Sequence, residues 1–191
     1  MSGVLRKTQR YFPHQILMTI YKSLFHPHIL YGLTVWGFQH ERVNKIQKKA
    51  IRILTFKPYL AHTTPLFKQL NILNMKDLYN LQLFKLYYKN TNNLLPTYFQ
   101  CFTLNYDDAD HNHDLRHTTF RLPMTRREYF VQSTKYQYLQ LIRDTEHNTL
   151  NRSTTHPMYS FTNYLKYQYL DEYDPICHIP QCYVCNKYKN D

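Results

Sequence analysis

Only three glycines serve a chain of 191 residues, and two of them, Gly32 and Gly37, flank its single tryptophan. Glycine takes left-handed backbone without steric cost and lets other groups approach the main chain closely. A chain so poor in it has few cheap places to turn sharply, so Leu30-Tyr31-Gly32-Leu33-Thr34-Val35-Trp36-Gly37 is where a turn is expected. An amphipathic segment leads into this stretch and a basic amphipathic segment leaves it. The spacing predicts a packed joint between two helices, formed by Tyr31, Gly32, Trp36 and Gly37, with Trp36 in the core.

Hydrophobic periodicity on either side is helical. Residues 2–11, with Arg6, Lys7 and Arg10, read as a short basic helix, and Pro13 suits the first turn of a second. There Ile16, Leu17, Ile20, Tyr21, Leu24 and Phe25 form a stripe of period 3.6. His26-Pro27 then predicts an end or a kink, because proline disfavours helical geometry in the residue before it. Beyond Gly37, Val43, Ile46, Ala50, Ile53 and Leu54 mark the apolar face of a further helix. Its opposite face carries Arg42, Lys45, Lys48, Lys49 and Arg52 with no acid among them. Thr64-Pro65 opens a short helix through Leu70, and residues 75–88 carry so many Leu, Phe and Tyr that they belong inside a bundle. A short helix is expected over 94–101, a weaker one over 126–144, a polar linker over 148–157 and a last helix over 160–170. The expected fold is all-α, an irregular helical bundle with a long polar loop and a poorly ordered C-terminal tail. Its parts are a basic helical domain over 1–104, a polar loop over 105–123, a second helical region over 124–172 and a Cys-containing tail over 173–191.

Charge divides the chain in the same way. Residues 1–100 hold 14 Lys and Arg against Glu41 and Asp77 alone, whereas residues 101–191 hold 10 against 11 acids. A surface of one sign suits a polyanion such as RNA or DNA. Like charges along one helix face repel by a few tenths of a kcal/mol per pair, and a phosphate backbone would relieve that. The apolar runs are interrupted well before the roughly 18 residues of a membrane span, so no membrane partner is expected. No leader pattern opens at Met1-Ser2-Gly3, and the four cysteines are not spaced as a secreted disulfide framework. An intracellular protein of nucleus or cytoplasm is the expectation.

Few clusters could carry chemistry. Tyr106-Asp107-Asp108 has the letters of a polymerase box but lacks flanking strands and a further Asp, so no catalytic residue is assigned. Asp107, Asp110, His111, His113 and His117 offer metal ligands without fixed geometry. In the tail, Cys182-x-x-Cys185 has the chelate spacing of a zinc knuckle, and Cys177 with His178 would complete a set of four. Zn²⁺ is the one cofactor this suggests; an exposed thiol cluster is the alternative.

Several ordered motifs resemble one family. Val4-Leu5-Arg6-Lys7, the run Tyr21-Lys22-Ser23-Leu24-Phe25-His26-Pro27-His28-Ile29-Leu30-Tyr31-Gly32 and its continuation to Trp36-Gly37 look like the segment downstream of the polymerase palm in non-LTR (LINE, jockey-like) retrotransposon reverse transcriptases. Asn44-Lys45-Ile46-Gln47-Lys48-Lys49-Ala50-Ile51-Arg52-Ile53-Leu54 and His62-Thr63-Thr64-Pro65-Leu66-Phe67-Lys68-Gln69-Leu70-Asn71-Ile72-Leu73 are similar to two later signatures. The family's Gly-Pro-x-x-Trp-Asn-Ser-Leu-Pro element has no counterpart between Tyr136 and Asn148. The resemblance covers residues 3–122 most strongly. It implies the thumb and C-terminal region of an RNA-directed DNA polymerase, binding template RNA and nascent DNA through the basic helix. The catalytic palm would lie in the remainder of the reverse transcriptase, so this chain is not expected to be an enzyme on its own. A protein-interaction element, or a decayed remnant with no nucleic-acid role, is the alternative expectation.

Overall fold

The computed structural model describes residues 2–96, 122 and 126–173. The fold is all-α: every regular element among these residues is helical. The chain forms two compact units, Met1–Tyr79 with Leu165–Asp191, and Asn80–Tyr164. These divide within two long helices, whereas the composition shift places boundaries at 104/105 and 123/124. Most of the polar loop, the continuation of the helix expected from Leu94 and the whole tail from 174 onward lie outside the described residues.

In the first unit, α1 (Ser2–Thr8) and α2 (His14–Ile20) pack on α5 (Glu41–Leu54). Two side chains tie them to its C-terminal end, where helix carbonyls lack intrahelical partners. Gln9 Nε2 donates to the Ile53 carbonyl at 3.0 Å, and His14 Nδ1 donates to the Leu54 carbonyl at 2.9 Å. Between α2 and α3 (His26–Leu30) the helix continues through a π-turn, Tyr21–Phe25, in which the His26 N–H bonds the Tyr21 carbonyl five residues back. The helix therefore does not end at His26-Pro27. The wider turn accommodates a proline that lacks an N–H and would crowd the carbonyl four residues earlier.

The π-turn also changes which residues face inward. In an α-helix a residue four places on has drifted by about 40° around the axis. A turn closed over five residues drifts back. Leu17, Tyr21, Phe25 and Ile29 are therefore all buried, while Ile16 is 42 % and Leu24 53 % exposed, contrary to the expected stripe.

Residues 31–40 connect α3 to α5. Gly32 is left-handed at φ 62 and precedes α4 (Leu33–Trp36), after which Gly37–Gln39 makes a 3₁₀ turn into α5. Gly37 is the close approach: a Cβ there would lie 2.3 Å from Cδ2 of the buried Tyr79 ring. Trp36 is not core. It is half-buried, because the four-residue α4 turns its ring back over Gly32 and its indole N–H donates to the Tyr31 carbonyl at 2.7 Å. The Tyr31 side chain itself is exposed and contributes only its backbone.

Scarcity of glycine does not limit left-handed turns as expected. Phe56, Asn71 and Asn93 all have φ near +55: 54, 55 and 54 respectively. Each closes a helix with the same pair of bonds, as when Lys57 N–H bonds the Arg52 carbonyl and Phe56 N–H the Ile53 carbonyl. This is the Schellman arrangement, in which glycine is the usual left-handed residue. After it come α6 (Thr64–Leu70), closed by Asn71, and α7 (Met75–Thr91), closed by Asn93.

The second unit holds the later part of α7 with α8 (Glu128–Val131), α9 (Thr134–Asp144), α10 (His147–Thr155) and the start of α11 (Met158–Asp171). Its core is aromatic: Phe84 meets Phe161 edge-on, Tyr88 stacks on Phe161, and Tyr87 lies beside Tyr138. Helix α10 replaces the linker expected over 148–157. It buries Thr149 and Ser153 instead of apolar side chains, which is why hydrophobic periodicity does not find it.

Two substitutions separate these backbone effects. Gly37→Ala keeps an allowed φ of −64 but drives a methyl into Tyr79, and should cost about 1–3 kcal/mol. Phe56→Gly relieves a left-handed penalty and should stabilise by about 0.5–1 kcal/mol. Urea denaturation of both variants checks this; a neutral Gly37→Ala would contradict the close approach.

Candidate nucleic-acid interface

Helix α5 is strongly amphipathic, but it is rotated from the expected setting. Gln47 is fully buried and Ile46 is 47 % exposed, reversing their expected places. The reason is polar: Gln47 Nε2 donates to the Leu73 carbonyl at 2.9 Å and to the Tyr21 hydroxyl at 3.3 Å. These bonds satisfy the buried Nε2 end of the amide, whose loss would be costly, while Oε1 is buried without a partner. Ala50, Ile51, Ile53 and Leu54 complete the buried face, and Val43 is half-buried.

The five basic residues consequently divide. Arg42, Lys45 and Lys49 are exposed together on the outer face. Among the described residues the one ion pair is Arg143–Asp144, so no carboxylate there pairs with these three. Lys48 is half-buried and turns toward a cleft. Arg52 is committed to the fold: its Nε donates to the Ala61 carbonyl at 2.8 Å and its guanidinium lies 5.8 Å from the Tyr59 ring centre. Burial, opposed by the Tyr59 hydroxyl, lowers its pKa from the ordinary value.

The cleft encloses about 230 Å³ between α5, the start of α6, the start of α7 and Tyr173. His40, Asn44, Lys48, Thr63, Lys76 and Tyr173 line it. Sequence patterning singled out only Lys48 of these six. The others come from four separated segments, and no periodicity links them. His40 Nδ1 donates to the Gly37 carbonyl at 3.0 Å, which leaves Nε2 as the other ring nitrogen. Tyr173 is anchored behind the cleft, where its hydroxyl donates to Asp77 Oδ2 and accepts from the Asn74 N–H. Lys68 Nζ adds bonds to the Asp171 and Tyr173 carbonyls. Burial pushes the Tyr173 phenol pKa upward, with the Asp77 hydrogen bond acting the same way, so it stays protonated. Burial also raises the Asp77 carboxyl, against the Tyr173 hydrogen bond that lowers it.

Cys177, His178, Cys182, Cys185, Tyr106 and the Asp and His residues of 107–117 lie outside the described residues. Among those described, no three or more His, Cys, Asp or Glu gather as metal ligands would. No described helix is long and apolar enough to cross a membrane. No family model, curated protein or solved structure matches the chain.

The Asp77 setting has a pH signature. A carboxyl whose pKa is raised on folding contributes stability that is fully present below its unfolded value and lost as pH rises through the folded one. Asp77→Asn keeps an acceptor for the Tyr173 hydroxyl and cannot ionise. The difference in urea stability, wild type minus Asp77→Asn, should therefore fall as pH rises from below 3.8 through the interval just above it. A difference that grows with pH would show that the tyrosine hydrogen bond outweighs burial.

Proposed function

We propose that this chain is the non-catalytic C-terminal, thumb-type region of a non-LTR retrotransposon RNA-directed DNA polymerase. On this reading it grips RNA–DNA hybrid through the outer face of α5. The observation that carries it is the cluster Arg42, Lys45 and Lys49, exposed together and free of carboxylate partners among the described residues. Ordered motifs over residues 3–122 that resemble that family support it, as does the concentration of positive charge in residues 1–100. Chemistry would come from the remainder of the polymerase, with this region supplying affinity and register through phosphate contacts.

A second reading, protein docking, is favoured by an apolar groove of about 140 Å³ lined by Val4, Leu5, Ile20, Leu24 and Phe25. Val4 and Leu24 are each more than half exposed there. A groove of this kind fits contact with the rest of the polymerase as well as an unrelated partner. Sedimentation discriminates the two readings: a monomer that binds hybrid favours the first, and self-association without hybrid binding favours the second.

Three phosphate contacts predict that log Kobs for hybrid falls with log salt at a slope of about −2 to −3. The double variant Lys45→Gln, Lys49→Gln should weaken binding and reduce the slope by about 1 per lysine, while leaving urea stability within about 0.5 kcal/mol. Anisotropy titrations across a salt series measure this. Salt-independent binding, or an unchanged slope in the double variant, would refute the assignment.

A further inference from the structure

We propose that the cleft between α5, α6 and α7 is a phosphate site, and that it takes a backbone phosphate of the strand whose neighbouring phosphates lie on Arg42, Lys45 and Lys49. The proposal rests on the nucleic-acid reading of α5 and goes beyond it, because most of the cleft belongs to other elements.

The lining chemistry selects an anion. Two lysines, Lys48 and Lys76, line one cleft whose lining includes no carboxylate. Asp77, next to Lys76 in the chain, is turned away to the Tyr173 hydroxyl and does not line it. Lys76 acts electrostatically on the Asp77 carboxyl behind Tyr173, and on the cleft side the charged lining residues are lysines alone, which favours an anion there. The neutral groups present donors as well. Thr63 is 7 % exposed and occupies the N-cap position of α6, yet its hydroxyl caps no N–H there. Asn44 also lines the cleft; its Oδ1 is shielded and without a partner, and the same amide carries a donor nitrogen. Such donors match a ligand that carries only acceptor oxygens and negative charge.

Size and position narrow the choice to phosphate on a strand. About 230 Å³ is many times the roughly 10–15 Å³ that admits one water, so a phosphate with part of its sugar fits. Lys48 lies one helical turn from Lys45 and beside Lys49, so the cleft continues the exposed row inward. A lysine is a point-charge phosphate binder that accepts varied approach angles, which suits repeated backbone groups.

The test uses the full chain, a fluorescent RNA–DNA hybrid and inorganic phosphate as a second probe. Lys76→Gln removes a cleft charge at an exposed position outside α5, and Lys57→Gln, also exposed, removes the same charge away from the cleft. Lys76→Gln should weaken hybrid binding about 3- to 10-fold near 0.1 M salt and lower the salt slope by about one, while Lys57→Gln changes neither. Inorganic phosphate should displace hybrid more readily from wild type than from Lys76→Gln. Equal effects of Lys76→Gln and Lys57→Gln would overturn the cleft, and the α5 reading would stand if the Lys45, Lys49 double variant still lost affinity. Phosphate binding sensitive to Lys76→Gln, with hybrid binding insensitive to it, would overturn the strand as the source of the phosphate. No loss in any of these variants would overturn both readings.

Discussion

The amide of Gln47, sealed from solvent, holds together three parts of the first unit. Its Nε2 reaches the Leu73 carbonyl before α7 and the Tyr21 hydroxyl in the π-turn, from a position in the middle of α5. Leaving such a buried carbonyl unsatisfied costs about 1–3 kcal/mol, comparable with burying one large apolar side chain. That interaction sets the rotation of α5 about its own axis. With Gln47 inward, Ile46 faces out, Lys48 turns to the cleft, and Arg42, Lys45 and Lys49 share the outer face. A one-residue change in rotation, about 100°, would put a different set of charges outside.

The same residue shows where sequence reading reached its limit. Apolar periodicity located α5 within a few residues, and its basic side was legible from the spacing of lysines. The rotation was not, because a glutamine that buries itself on partners distant in sequence looks polar in any pattern. Helix α10 was missed for the complementary reason, since Thr149 and Ser153 pack inward without an apolar signal. The stripe through Ile16 and Leu24 departs from the observed burial because a π-turn precedes Pro27, and patterns built on a constant 3.6 residues per turn do not register one.

Gly32 and Gly37 are special backbone positions, but glycine scarcity does not confine left-handed backbone to glycine. Gly32 is left-handed and Gly37 admits the Tyr79 ring, as residues flanking a joint should. Yet three helices end on left-handed Phe56, Asn71 and Asn93, with hydrogen bonds that make the turn affordable. Asparagine does this at modest cost; phenylalanine does it under strain. The tryptophan between the two glycines is a half-buried clamp on the Tyr31 carbonyl, and the closest packing at the joint belongs to Gly37.

The functional account joins these local facts: a buried amide aims α5, its outer cations are unpaired among the described residues, and the cleft beside them presents donors. Protection of lysines from acetylation by RNA–DNA hybrid, read residue by residue with mass spectrometry on the full chain, tests that union directly. The account predicts protection at Lys45, Lys48, Lys49 and Lys76, with Lys57 and Lys135 labelled as in the free protein. Uniform protection of all six, or protection that spares Lys45 and Lys49, would contradict it.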